Sequence, residues 1–319
     1  MINAKITHIE YYLPEKIVTN EDLAKDNPDW NFKLIEPKTG ILSRHIVGEG
    51  ESASDLAIHA AELLIEKNGI DRSTIDALLF CTQSPDYILP TTACAMQERL
   101  KLSSGTAAFD FNLGCSGYIY GLAIAGAMVN SGISTKVMLL CAETYSKYIA
   151  ADDRTARTVF GDGGSATLIE SSEASGALGP FVLGTDGKGK DKIMVSAYPD
   201  ERLHIDGAAV FMFTMNKVPA CVTELLAKAK KNISDIDLFV FHQASKVVID
   251  NIVRILSLDE SKVFRGYEDV GNTVSASIPI ALKQAQEDGR VKKGDLIMLV
   301  GFGVGYSWGA TLIRWKERL

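Results

Sequence analysis

The chain has 319 residues, 46% of them apolar, enough to build one large core or two ordinary ones. Charged residues make up 23% and the net charge is -7, so the surface as a whole repels nucleic acid and anionic membrane, and neither is expected as a partner. Five cysteines, odd in number and without C-x-x-C spacing, argue against a disulfide framework and a zinc site, so no metal is expected.

In chain order, the opening MINAKITHIEYYLP alternates like a strand and lacks the basic start, apolar stretch and cleavage site of a signal peptide. Apolar runs at 77–81, 107–111, 137–141, 166–169, 238–241, 296–300 and 310–315 read as strands. Between them, 54–68, 116–130, 218–231, 246–256 and 277–288 read as helices, and the alternation predicts α/β layers. The longest apolar run, 118–129, is too short to cross a bilayer, and a cytoplasmic location is expected. The polar stretch 171–200 is the expected boundary loop.

The chain also echoes itself. STIDALLFCTQS at 73–84 aligns without a gap on SDIDLFVFHQAS at 234–245, and TKVMLLCAE on GDLIMLVGF at a similar offset of about half the chain. Two copies of one α/β unit are expected, dividing the protein at 1–172 and 173–319.

Cys115 lies in GCSG, where a strand-like run gives way to a helix-like one. A cysteine is ordinarily a small buried hydrophobe, but at a helix N-terminus, between glycines that permit a tight turn and close approach, it can serve as a nucleophile. His242 ends the strand at 238–241, at the carboxyl edge where α/β proteins place their sites, and occupies the position held by Cys81 in the first copy. Asn272, in GNTVSASIP, reads equally well as a cap and as a ligand-binding carboxamide. GFGVGYSWG at 301–309 is followed by a strand rather than a helix, so its glycines suit close approach of backbone N–H groups to a reacting oxygen better than a phosphate loop.

Taken together, GCSG, HQAS, GNTVSASIP, FGDGGSA at 160–166 and GFGVGYSWGA resemble the β-ketoacyl-acyl-carrier-protein synthase III branch of the thiolase-like condensing enzymes. The likeness runs from YYLPEKIVTNEDLA through TGILSRHI to the last strand. It implies a duplicated thiolase fold of five α/β/α/β/α layers, a homodimer and an acyltransferase. A coenzyme A thioester would be the substrate, with no cofactor or metal. Cys115 would carry the acyl group from an acyl-CoA, with the backbone N–H groups of Cys115 and Val304 as the oxyanion hole. His242 and Asn272 would hold the carbonyl of a malonyl thioester as it loses carbon dioxide and condenses to a β-ketoacyl thioester, initiating fatty acid synthesis.

The resemblance further implies coenzyme A contacts at Trp30, Arg154 and Lys38, the last in a stretch longer than the family's. It implies a carrier-protein surface thinned to Lys246 and Arg254, since Ser245, Val247 and Met212 stand where the family has an asparagine, an arginine and a lysine. Leu89 replaces a bulky aromatic that closes the acyl pocket across the dimer, which would admit a longer acyl group. The alternative is a specialised ketosynthase with an unusual donor or a non-carrier-protein acceptor. A thiolase would show a second cysteine near Gly303–Gly305, and a non-catalytic partner subunit would lack Cys115.

Overall fold

The computed structural model describes residues 3–172, 178–196 and 202–315. Strands Ala77–Cys81 and Lys136–Glu143 are buried almost throughout, as strands covered on both faces must be, and they lie parallel in register. Ala107–Phe111 adds a parallel edge beyond Ala77–Cys81, while Gly163–Ser172 and then Asn3–Tyr12 join antiparallel on the other side.

The second sheet repeats this order. Leu238–Phe241 runs parallel to Leu296–Gly303, followed by Ser307–Arg314 and Leu178–Thr185, both antiparallel to their neighbours. Where the first sheet has Ala107–Phe111, the second has a single parallel bridge from Phe239 to Val263. The gapless sequence echo thus falls on topologically equivalent strands.

Helix Gly117–Asn130, without a charged residue, packs against strands of both sheets and forms the middle layer with Ser277–Glu287. Ala53–Asn68 and Thr92–Arg99 cover the outer face of the first sheet; Gly207–Ala229 and Lys246–Leu256 cover that of the second. The helix over the first sheet starts at a capping box between Ser52 and Asp55 and stops at a left-handed Gly69. The result is the five-layered α/β/α/β/α thiolase fold.

Two expectations need correction. The stretch 171–200 is not simply a loop: it contains the edge strand Leu178–Thr185 and Ile193–Val195, which pairs with Leu203–Ile205. Glycines and Pro180 mask the alternation of Leu178 and Val182 there, and 173–177 and 197–200 lie outside the described residues. The helix expected at 218–231 begins at Gly207, capped by Asp206, and contains Pro219. At 23 residues it is long and apolar enough to cross a bilayer, unlike the 118–129 run, but Phe213, Val218, Cys221, Val222 and Leu225 are packed in the core of the second sheet.

Candidate active site

The elbow that carries Cys115 is shaped by missing side chains. A Cβ at Gly114 would lie 2.4 Å from Gln83 Oε1, and one at Gly117 2.3 Å from Cys81 Sγ. From the second half, a Cβ at Gly301 would meet the Cys115 carbonyl oxygen at 2.7 Å, and one at Gly303 the Cys115 Cβ at 2.9 Å. Four glycines therefore let two chain segments close around one cysteine. Ser116 Oγ lies 2.6 Å from Ser307 Oγ, joining elbow to glycine loop.

Cys115 is 6% exposed. Burial pushes its thiol up to about 12, with the Glu143 carboxyl adding to the rise, while the backbone N–H groups of Cys115 and Val304 pull the other way. Desolvation thus outweighs the pull of the backbone donors toward the thiolate.

His242 follows the strand Leu238–Phe241, and its N–H donates to Val300 at 2.8 Å. Its ring stands edge-on to Phe302, and Nδ1 lies 2.6 Å from Ser277 Oγ. Burial depresses the imidazole to about 3, so the ring is neutral near pH 7. With Nδ1 turned to Ser277, Nε2 is left for a ligand.

Asn272 is fixed at backbone and side chain. Its N–H donates to Val159 at 2.9 Å, its carbonyl accepts from Gly161 at 3.1 Å, and Oδ1 accepts the Val274 N–H at 2.9 Å. That last bond commits Oδ1, so the Nδ2 donor is what the carboxamide can offer a ligand. Val274 has φ of 54°, a left-handed conformation costly for a β-branched residue and stored beside the site. Behind it, the buried Arg44 donates to Val18, Asn20 and Thr158, and its Cβ packs against Gly161 and Gly271.

Cys115, His242 and Asn272 line one cavity of about 540 Å³, and Phe160, Ile193 and Phe302 are also in its lining. Lys38 and Arg154 line it toward Asn31 and Leu34, while Trp30 is half-buried next to Asn31 and outside the lining. Ser245 and Val247 are in the lining; Lys246 between them is exposed and ion-paired to Asp250. Arg254 lies two turns further along that helix, bonded to Asn251. Met212 and Leu89 are exposed, and Leu89 does not reach the cavity of its own chain.

Ser277, the Val274 N–H and Glu143 were not visible as site residues in the sequence. Ser277 and Val274 do fall inside GNTVSASIP, but which partner each meets is decided by tertiary contact. Comparison with known proteins agrees with the fold. The family model for 3-oxoacyl-[acyl-carrier-protein (ACP)] synthase III matches residues 109–187, and that for its C-terminal part matches residues 226–315. The β-ketoacyl-[acyl-carrier-protein] synthase III of Rhodospirillum centenum is 37% identical, covering 95% of this chain and 96% of its own. The chain belongs to the β-ketoacyl-[acyl-carrier-protein] synthase III family. The enzyme of that name from Clostridium novyi is 36% identical, covering 99% of this chain and all of its own. A crystal structure of a 3-oxoacyl-(acyl-carrier-protein) synthase III superposes with a TM-score of 0.95 at 40% identity, covering 98% of this chain and all of that one. As a member of this synthase III family, the protein is an acyltransferase.

Proposed function

We propose that Cys115, His242 and Asn272 carry out a two-step condensation. The reaction joins an acyl primer to a malonyl thioester with loss of carbon dioxide, giving a β-ketoacyl thioester and initiating fatty acid synthesis. In the first step the Cys115 sulfur attacks the acyl-CoA carbonyl. The tetrahedral oxygen takes its charge between the N–H groups of Cys115 and Val304, the coenzyme A thiolate leaves, and the cysteine's proton departs with it as the free thiol.

In the second step the malonyl thioester carbonyl sits against His242 Nε2–H and Asn272 Nδ2–H. Carbon dioxide leaves, the electron pair forms an enolate stabilised by these two neutral donors, and the enolate carbon attacks the acyl-cysteine. The Cys115 thiolate is released and regains a proton. A neutral imidazole donating from Nε2 requires Nδ1 to accept, and Ser277 Oγ is placed to donate to it. The observation that carries this reading is the convergence of the three side chains on one cavity, with the carboxamide and imidazole each pinned from behind.

Around this core, Trp30, Arg154 and Lys38 hold the coenzyme A moiety at the cavity mouth, two of them supported by their place in its lining. An acyl carrier protein docks through Lys246 and Arg254, and coenzyme A is a substrate rather than a resident cofactor. The halves 1–172 and 173–319 act as two duplicated domains, each half's described main-sheet strands lying in its own sheet. The protein is a cytoplasmic homodimer in this reading. Its partly exposed edge strand Ala107–Phe111 and the exposed Tyr87, Ile88 and Leu89 support a subunit contact there, with Leu89 reaching the partner's acyl pocket.

The test supplies acyl-CoAs of increasing length, each with malonyl-CoA or malonyl-carrier protein as acceptor, and measures β-ketoacyl product. Product from a primer-length acyl-CoA with the carrier-protein acceptor is expected. Product only with malonyl-CoA would remove the carrier-protein role, and no product with any pair would remove the reading.

A further inference from the structure

Among the buried ionisable groups that the mechanism leaves unused, Glu143 is tied to segments that pack on both Cys115 and Asn272. Glu143 ends the strand Lys136–Glu143 with no exposed surface. Its Oε2 accepts from the Gln83 N–H at 3.0 Å and the Ser84 hydroxyl at 2.9 Å, and its Oε1 lies 2.8 Å from Ser275 Oγ. These partners come from two other segments, the loop after Ala77–Cys81 and the turn Val274–Ala276.

Both segments press on the catalytic elements. The Gln83 side chain fills the space against Gly114, on one side of Cys115, and Ser275 Cβ lies 3.7 Å from the position a Cβ would take at Gly117, on the other. Ser275 also follows Val274, whose N–H orients the Asn272 carboxamide. One carboxyl therefore joins the nucleophile's elbow to the turn that sets the enolate donor.

Its surroundings suit an uncharged acid. Among the described residues no lysine, arginine or histidine forms an ion pair with it, and a lone buried carboxylate is costly. The Gln83 N–H is its one obligate donor. That N–H reaches both carboxyl oxygens, and the Ser84 and Ser275 hydroxyls donate to Glu143 as well, so every partner is neutral and none supplies a compensating charge.

We propose that Glu143 is a positioning residue that works as a neutral carboxylic acid, holding Cys115 and Asn272 in register for the condensation. The inference rests on the reading of Cys115 and Asn272 given above. Burial pushes the Glu143 carboxyl up to about 8, in keeping with a neutral acid at pH 7. The titratable groups around it are Cys81, with Cys141 beside it, on the first sheet, Tyr145 after the strand and Cys115 on the elbow. When Glu143 ionises, its charge opposes both the Cys115 thiolate and the enolate.

The test compares the parent enzyme with Glu143→Gln, Glu143→Ala and Ser275→Ala at pH 6–10. Two rates are read: malonyl-CoA decarboxylation and alkylation of Cys115 by iodoacetamide, the site confirmed by peptide mass. Glu143→Gln, a neutral mimic, is expected to decarboxylate near the parental rate at pH 7 and to hold that rate above about pH 8, where the parent declines. Its Cys115 is expected to alkylate faster than the parent's in the same alkaline range. Glu143→Ala and Ser275→Ala, which cut the tie, are expected to lose about a hundredfold in decarboxylation.

A Glu143→Gln variant as impaired as Glu143→Ala, or with parental profiles for both rates, overturns the neutral-acid role. Parental decarboxylation in both Glu143→Ala and Ser275→Ala overturns the positioning role; if Glu143→Ala fails to fold, Ser275→Ala decides. A parent that decarboxylates nothing sinks the catalytic reading instead, and the alkylation profiles then still judge Glu143.

Discussion

Asn272 shows how one bond decides what a side chain can do. Because its Oδ1 is committed to the Val274 N–H, only the Nδ2 donor is left for the role proposed for it, holding a substrate carbonyl. Asn272→Asp replaces that donor with an acceptor that repels the enolate. Malonyl thioester decarboxylation is expected to fall by about 10²–10³-fold, while acylation of Cys115 by acyl-CoA continues. Separate assays of the two half-reactions check this, and equal loss in both would count against the division of roles. Cys115 and His242 stand out in the sequence because a glycine pair and a strand end are local signals. Asn272 reads in sequence as either cap or ligand, and its oxygen does bond a backbone N–H, as a cap's would, leaving its nitrogen for the donor role proposed above. Ser277 and Glu143 gave no such signal, since their importance comes from partners far away in the chain.

The glycine loop acts at the scale of the element. Leu296–Gly303 ends against the elbow, and a Cβ at Gly303 would lie 2.9 Å from Cys115 Cβ and 3.0 Å from its sulfur. Gly303→Ala is expected to displace the nucleophile and reduce Cys115 acylation by about a hundredfold, with a fold that circular dichroism reads as native. Gly164 makes a different kind of contact: a Cβ there would strike the backbone of Leu56 at 2.6 Å, where no side chain can swing away. Gly164→Ala is expected to cost about 1–3 kcal/mol of stability, read from denaturant midpoints. Elements buried on both faces, such as Leu296–Gly303, were legible as continuous apolar runs. Gly207–Ala229 was legible only in its second half, because Pro219 suggests a start where the chain has only a proline within a longer helix. The edge strand Leu178–Thr185 was hidden by its glycines and proline, although its pairing with Ser307–Arg314 closes the second sheet.

For the whole molecule, two buried groups set opposite pH limits on stability. His242 has its pKa depressed from 6.5 to about 3, so the stability from burying it neutral is complete above about pH 6.5 and is lost as pH falls toward 3. Glu143 has its pKa raised from 4.5 to about 8, so its contribution is complete below about pH 4.5 and is lost as pH rises to 8. Denaturant midpoints across pH 4–9 are expected to show a shallower acid limb in His242→Gln and a shallower alkaline limb in Glu143→Gln. Unchanged limbs would mean that the two groups titrate in the folded protein as they do in the unfolded chain. At this scale the sequence was most informative, since the echo between 73–84 and 234–245 maps onto matching strands of two sheets. The duplication also explains how the nucleophile and its facing donors, encoded more than a hundred residues apart, come to share a cavity where the halves meet.

The most direct test of that shared cavity is the intact mass of the protein after mixing with an acyl-CoA and then with a malonyl thioester. A gain of one acyl group, located on the peptide containing Cys115, is predicted, followed by return to the original mass as β-ketoacyl product appears. An acyl group found on another residue, or one on Cys115 that the malonyl thioester does not discharge, would contradict the account.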